Sequence, residues 1–300
     1  WNLSMSQAID PLPFIVQAPR LFAQQISLGD IFQSSTAFHN IHNSLSFFRN
    51  VYDSFASYRA AIIRLDGLID ENSRARAFTR VLTAVSEEGR LEVDGVEVRT
   101  PDGEYLVHSL DFSLDPGDTL LISGRSGVGK TVLLQSLAGL WPFTSGSVVL
   151  PSSRQDAMFV PQMPYMPLGD LRAAASYPLE EGTVTDREIQ QALISVALSH
   201  IVIRLNDVRD WAKVLSVGEQ QRLAFARILL SKPSAVFLDE STSAMDEGLE
   251  LMLYELLRAE LPGTILVSVS HRSTVEQFHD RHLELVGGGE WRLDPLPTRR

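Results

Sequence analysis

Three hundred residues, 44% hydrophobic and 21% charged, suffice for two domains with a sizeable core, which excludes wholesale disorder and low-complexity or collagen-like architecture. The formal net charge is −11 and is unevenly placed: residues 1–85 carry 7 Lys plus Arg against 6 Asp plus Glu, and residues 86–300 carry 19 against 31. That acidic surplus argues against non-specific nucleic-acid binding, and the absence of cysteine excludes disulfides and thiolate metal sites, which fits the cytosol.

The chain starts at Trp1 with no cleavable signal peptide in view, and it reads as the C-terminal part of a longer protein. Pro11, Pro13 and Pro19 surround a short apolar stretch, and Leu28-Gly29-Asp30 reads as a break. From Ile31 to Asp66 there is neither Gly nor Pro, 36 residues in a row. As a helix that run is about 54 Å long, several turns more than the ~30 Å hydrocarbon core of a bilayer. Ile31–Phe48 carries no charge, yet only 8 of its 18 residues are apolar. Ile31, Phe38, Ile41, Leu45 and Phe48 share one helical face, while Ser34, Ser35, Asn40 and Asn43 occupy others. Two readings stand: a helix lining an aqueous pathway inside a membrane bundle, or an amphipathic helix of a soluble one. The Arg74, Arg76 and Arg80 patch fits either a solvated linker or contact with anionic headgroups.

Residues 119–131, TLLISGRSGVGKT, are an apolar strand running into G-x-x-x-x-G-K-T, the phosphate loop in its strand–loop–helix setting. Gly124, Gly127 and Gly129 let backbone N–H groups converge on an anion; Lys130 supplies charge for the β- and γ-phosphates. Thr131 offers a hydroxyl to Mg²⁺ at a helix start. Next, VPQMPYMPLGDLR (160–172) places Gln162 after the short strand MFV. In LSVGEQQRLAFAR (215–227), Ser216 and Gly218 precede a helix and make a second phosphate site. AVFLDE (235–240) is a buried parallel strand ending in two carboxylates: Asp239 for Mg²⁺ through water, Glu240 as general base. ILVSVSH (265–271) ends a strand with His271. His279 and His282 read as loop residues before the strand LELV (283–286) rather than as a metal site.

In order and spacing these motifs resemble the ATP-binding-cassette (ABC) family over residues 90–290. The resemblance implies an α/β P-loop NTPase fold, an ABC nucleotide-binding domain with an antiparallel β-subdomain and a helical subdomain. It implies that Gly124, Arg125, Ser126, Gly127, Val128, Gly129, Lys130, Thr131 and Val132 hold ATP, and that Thr131, Gln162 and Asp239 address Mg²⁺. Gln162, Glu240 and His271 then serve hydrolysis. The signature is Leu215-Ser216-Val217-Gly218-Glu219, and the D-loop is Ser243-Ala244-Met245-Asp246. Family members pair head to tail, so Ser216, Gly218 and Glu219 would meet the ATP of a second copy. Val217 departs from the usual Gly or Ser. Thr100 stands where an aromatic residue usually stacks on adenine, with Tyr105 as the substitute.

GLWPFTSG (139–146), the PQMPYMPLGDLR segment with Tyr177-Pro178, and Trp211 resemble one subgroup. It comprises bacterial transporters with an SbmA/BacA-type membrane domain and the peroxisomal fatty-acyl (subfamily D) half-transporters. Residues 11–66 resemble the end of that membrane domain: a penultimate span, a turn at Leu28-Gly29-Asp30, then a last span. The expected division is 1–70, the end of a transmembrane domain with its last span at about 31–50; 71–89, a linker; and 90–300, the nucleotide-binding domain. The implied protein is an ATP-hydrolysing transporter subunit in a bacterial inner or plasma membrane, its nucleotide-binding domain cytoplasmic. Its implied partners are a second copy, its own further spans and lipid, with no nucleic acid. The competing readings are a soluble cassette ATPase acting on nucleic acid or ribosomes, and a non-hydrolysing regulatory cassette; Glu240 and His271 oppose the second.

Overall fold

The computed structural model describes residues 11–77, 82–86, 88–151, 157–180 and 182–296. Arg80 and the side chains of Phe48, Arg74 and Arg76 lie outside the described residues. The chain forms two compact units, Trp1–Ala77 and Phe78–Arg300.

In the first unit, Pro13 sits in the opening turn of α1 (Leu12–Phe22), where its missing N–H costs nothing. The second helix, α2, runs unbroken over Leu28–Ala77, 50 residues. Ser27 caps it: its N–H and hydroxyl both reach an Asp30 carboxylate oxygen at 2.8 Å. Leu28-Gly29-Asp30 is therefore the first helical turn rather than the break, which falls on residues 23–27. The helix also continues through residues 71–77 of the expected linker, since nothing between Gly67 and Ala77 stops it. The two helices meet at an edge-on Phe14–Phe32 pair 6.1 Å apart, with Ile31 and Ser35 buried. No helix among the described residues is long and apolar enough to cross a membrane. In the window expected to span, amides and hydroxyls such as Ser34, Asn40 and Asn43 dilute the apolar residues.

The second unit is built on a six-stranded sheet. Its strands are β4 (Thr119–Gly124), β6 (Ala157–Val160), β9 (Ala235–Asp239), β10 (Ile265–Val269), β11 (Arg281–Gly287) and β12 (Glu290–Pro295). Their order is β12-β11-β4-β10-β9-β6, parallel except for the β11–β12 hairpin. Residues 235–238 and the whole of β10 are buried, as a parallel sheet covered on both faces requires. A smaller sheet, β1 (Leu82–Val85), β2 (Leu91–Arg99), β3 (Tyr105–Leu114) and β5 (Thr144–Leu150), has the order β1-β5-β2-β3. It is antiparallel apart from the β1–β5 pair. Its apolar face shares a core with the large sheet and with Leu133, Leu134 and Leu137 of α3 (Lys130–Leu137).

A second core, beside the two-residue antiparallel strands β7 (Gly169–Asp170) and β8 (Val208–Arg209), gathers α4 (Leu171–Ser176), α5 (Asp186–Ser195), α6 (Trp211–Val214), α7 (Val217–Ser231) and α8 (Glu247–Glu260) around Trp211, Phe225 and Tyr254. These parts agree with the expected αβ core, β-subdomain and helical subdomain. Two boundaries differ. The strand expected to end in His271 stops at Val269, and the strand after His279 starts at Arg281, which puts His282 inside it.

Candidate nucleotide-binding and hydrolysis site

Strand register decides which groups meet. Val269 of β10 pairs with Ile122 of β4 on one side and Asp239 of β9 on the other. The three segments that follow these residues thus leave the sheet at one carboxyl edge, where α/β sheets collect ligands.

The first segment is the loop from Gly124 to Thr131. Gly124 has φ 142°, and a Cβ there would lie 2.5 Å from the Leu285 carbonyl oxygen, so only glycine fits. Arg125, Ser126 and Gly127 are exposed and Val128 half-buried, leaving the loop backbone open to an anion. Gly129 caps α3 in the left-handed region, and Val132 packs on the core. Lys130, buried, turns its ammonium back onto the loop, donating to the Gly124 carbonyl at 3.0 Å and the Arg125 carbonyl at 3.1 Å. Burial lowers its pKa, against the pull of the Glu240 and Asp239 carboxylates.

The second segment follows β9. Thr131 donates its hydroxyl to Asp239 Oδ1 at 3.1 Å. Burial pushes the Asp239 carboxyl above its ordinary range, and this hydrogen bond opposes the shift. A hydroxyl beside a half-buried carboxylate is the hard oxygen donor set that Mg²⁺ takes when phosphates complete its shell; the residues fit that ion. Glu240 has φ 48°, left-handed backbone that is strained for a side chain of its size. Its N–H donates to the Val269 carbonyl at 3.1 Å, and its own carbonyl accepts from the Ser243 N–H at 3.0 Å. The third segment brings His271, whose Nε2 lies 3.2 Å from Glu240 Oε1.

Gln162 is exposed, and its amide points at the Ser243 hydroxyl at 3.4 Å. Gln221, which no sequence motif singles out, ties this region together. It donates to the Gln162 carbonyl (2.9 Å) and the Ser243 hydroxyl (3.2 Å), and accepts from the Ala244 N–H (3.1 Å). Its only sequence signal is its place one helical turn after Val217, facing inward.

The signature residues do not precede α7: Ser216 is its N-cap and Gly218 lies in its first turn. Ser216 and Glu219 form a capping box, the Ser216 N–H and hydroxyl reaching Glu219 Oε2 at 2.8 and 2.7 Å. His200 Nε2 holds the other Glu219 oxygen at 2.8 Å. Burial raises the Glu219 pKa, but the Ser216 and His200 contacts outweigh it and leave the carboxyl below its ordinary value. A Cβ on Gly218 would stand 2.9 Å from the Ala244 carbonyl oxygen, so glycine lets the 243–246 turn approach. The Val217 side chain is exposed.

At the far end of the loop, Leu106 abuts Gly129, and Tyr105 precedes it. Thr100 caps the 100–104 turn with its hydroxyl. The Arg99 guanidinium lies 4.3 Å over the Tyr105 ring and donates to its hydroxyl. Away from the site, His279 is buried between the Val275 carbonyl and the Ser268 hydroxyl, each 2.9 Å away, and burial lowers its pKa to about 4. His282 contacts the Ser123 hydroxyl at 2.6 Å.

Residues 107–243 match the family described as ABC transporter. The chain is 41% identical, over 95% of its length and 48% of the relative's, to an "Uncharacterized ABC transporter ATP-binding protein" of Haemophilus influenzae. It is 34% identical to "ABC transporter D family member 2, chloroplastic" of Arabidopsis thaliana, over 97% of this chain and 52% of that protein. With "Inner membrane ABC transporter ATP-binding protein YddA" of Escherichia coli it shares 33% identity, over 93% of this chain and 48% of that protein. The chain thus spans about half the length of these curated relatives. The cassette it carries is an ABC transporter ATP-binding domain, and with that an ATPase domain.

Proposed function

We propose that this chain hydrolyses Mg-ATP at the Lys130–Asp239–Glu240–His271 edge and couples the reaction to movement of a substrate across a membrane. One observation carries the hydrolytic part: the phosphate-loop hydroxyl of Thr131, the Asp239 carboxylate and the Glu240–His271 pair converge at one sheet edge. The loop N–H groups and Lys130 hold the β- and γ-phosphates. Thr131, Asp239 and Gln162 hold Mg²⁺, which when bound draws charge off the phosphate oxygens. Glu240 takes a proton from water as the water oxygen bonds to the γ-phosphorus; the bond to the β-phosphate oxygen breaks and its electron pair leaves with ADP. His271 keeps the Glu240 carboxylate turned toward that water. Tyr105 offers a face to adenine.

In this reading two copies pair head to tail, and Ser216, Gly218 and Glu219 of each close over the nucleotide of the other. The N-terminus of α7, with Ser216 and Val217 exposed, supports that role, since helix N-termini favour anions. Residues 1–70 are the end of an SbmA/BacA-type membrane domain, with the last span at about 31–50, 71–89 the connection and 90–300 the cassette. The relatives' lengths support this, as does the name of the inner-membrane Escherichia coli protein. The location is a bacterial inner or plasma membrane with the cassette on the cytoplasmic side. The test is ATP hydrolysis by membranes carrying the full-length protein, parent against Glu240→Gln. Activity that sediments with membranes and is lost in the variant is expected; recovery with ribosomes or nucleic acid would overturn the transporter reading.

A further inference from the structure

Glu250 stands in the first turn of α8 with 1% of its surface exposed. A carboxylate so buried is costly unless its oxygens are satisfied, and here the partners come from the segments that follow both hydrolytic residues. Thr242, two residues past Glu240, donates its hydroxyl to Glu250 Oε1 at 2.5 Å. Thr274, three past His271, donates to Oε2 at 2.8 Å. Arg272, directly after His271, approaches the same oxygen at 3.5 Å. It also donates to the Met245 carbonyl at 2.9 Å and the Ser243 carbonyl at 3.3 Å. One buried carboxylate is thereby bonded to the stretch after Glu240 and the stretch after His271, and through Arg272 to the 243–246 turn.

We propose that Glu250 is a positioning residue for ATP hydrolysis, holding these two stretches together so that Glu240 and His271 remain paired. The inference rests on the reading of Glu240 and His271 as the hydrolytic pair. Glu240 sits in left-handed backbone at φ 48°, and such a conformation persists only where surrounding bonds over-determine it. The Thr242–Glu250–Thr274 bridge supplies that restraint from one side chain. Glu250 needs no contact with ATP for this role; it acts through the geometry of Glu240.

The test is Glu250→Gln in the full chain, nearly isosteric but without the charge. The expected result is a kcat lower by roughly 10- to 100-fold, since a small misplacement of a reacting group costs that much, with the Kd for ATP unchanged within about twofold. The deciding comparison repeats the substitution on Glu240→Gln. With the base gone there is nothing left to position, so the residual hydrolysis should not fall further. A fall by the same factor in both backgrounds, a matching loss of ATP binding, or a parent-like rate in Glu250→Gln would overturn the proposal. A parent-like rate in Glu240→Gln alone would remove the base assignment first, and this inference with it. If Glu250→Gln does not fold, Thr274→Val removes one donor to the carboxylate at a half-buried position and carries the same two-background comparison.

Discussion

His271 Nε2 lies 3.2 Å from Glu240 Oε1, a contact between residues that follow neighbouring strands of one sheet. Val269 and Asp239 are paired in register, so the two chains leave the sheet level with each other, and the left-handed turn at Glu240 swings its side chain toward the histidine. The contact engages one carboxylate oxygen and leaves the other for a water proton.

Replacing Glu240 by Gln keeps the side chain's shape and removes its basicity. Hydrolysis should slow by roughly 10²–10⁴-fold, with ATP still held by Lys130 and Thr131. Under light scattering, the residue 78–300 fragment carrying this change should dimerise with Mg-ATP. Adding Ser216→Arg should abolish that dimer; a dimer indifferent to it would sink the head-to-tail arrangement.

Lys130→Ala removes the ammonium that in this structure rests on the Gly124 and Arg125 carbonyls. Two charge-assisted hydrogen bonds to phosphate, at about 1.5–3 kcal/mol each, amount to at least a hundredfold in affinity. Nucleotide titration is the check, and a change below about threefold would remove the assigned phosphate site.

Gly218→Ala places a methyl carbon 2.9 Å from the Ala244 carbonyl oxygen, so either the 243–246 turn or the start of α7 must move. The turn is tied by Gln221 and Arg272 to Gln162 and to the His271 segment. Steady-state assays should therefore show kcat down by roughly tenfold with monomer ATP affinity retained. Equal loss of both would assign the glycine a merely structural role.

Tyr105→Ala tests the base platform. With the ring gone, the Kd for ATP should rise by roughly 5- to 10-fold, the worth of one stacked aromatic, while that for free triphosphate stays put. Equal effects on both ligands would exclude Tyr105.

His279 supplies a pH signature. Its folded pKa of about 4 lies below its ordinary value of 6.5, so the unfolded chain takes up a proton first as pH falls. Stability from this residue is intact above about pH 6.5 and drains away toward pH 4, to on the order of 3 kcal/mol. Denaturation of the parent and of His279→Gln across that range should differ in slope by about one proton; parallel curves would refute it.

The phosphate loop, the strand ending in Asp239 and Glu240, and the signature segment were readable one by one in the sequence. Each is a local pattern: glycines where backbone must turn or approach, apolar runs where strands are buried, and a hydroxyl with an acid three residues on where a helix begins. That chemistry depends on neighbours within a few residues. What joins these pieces is not local. Thr131 and Asp239 are 108 residues apart, and only the β4-β10-β9 order brings them to 3.1 Å. The same holds for Gln221, Arg272 and Glu250, which as isolated letters look like solvated helix and loop residues, yet two of the three are buried, held by partners from distant segments. The helix start at Leu28 escapes the local pattern for a related reason. Gly29 suggested a turn, but the Ser27–Asp30 box makes those residues a helix start. Composition and local pattern thus set which groups are present and what each can do; strand order and burial decided which of them meet.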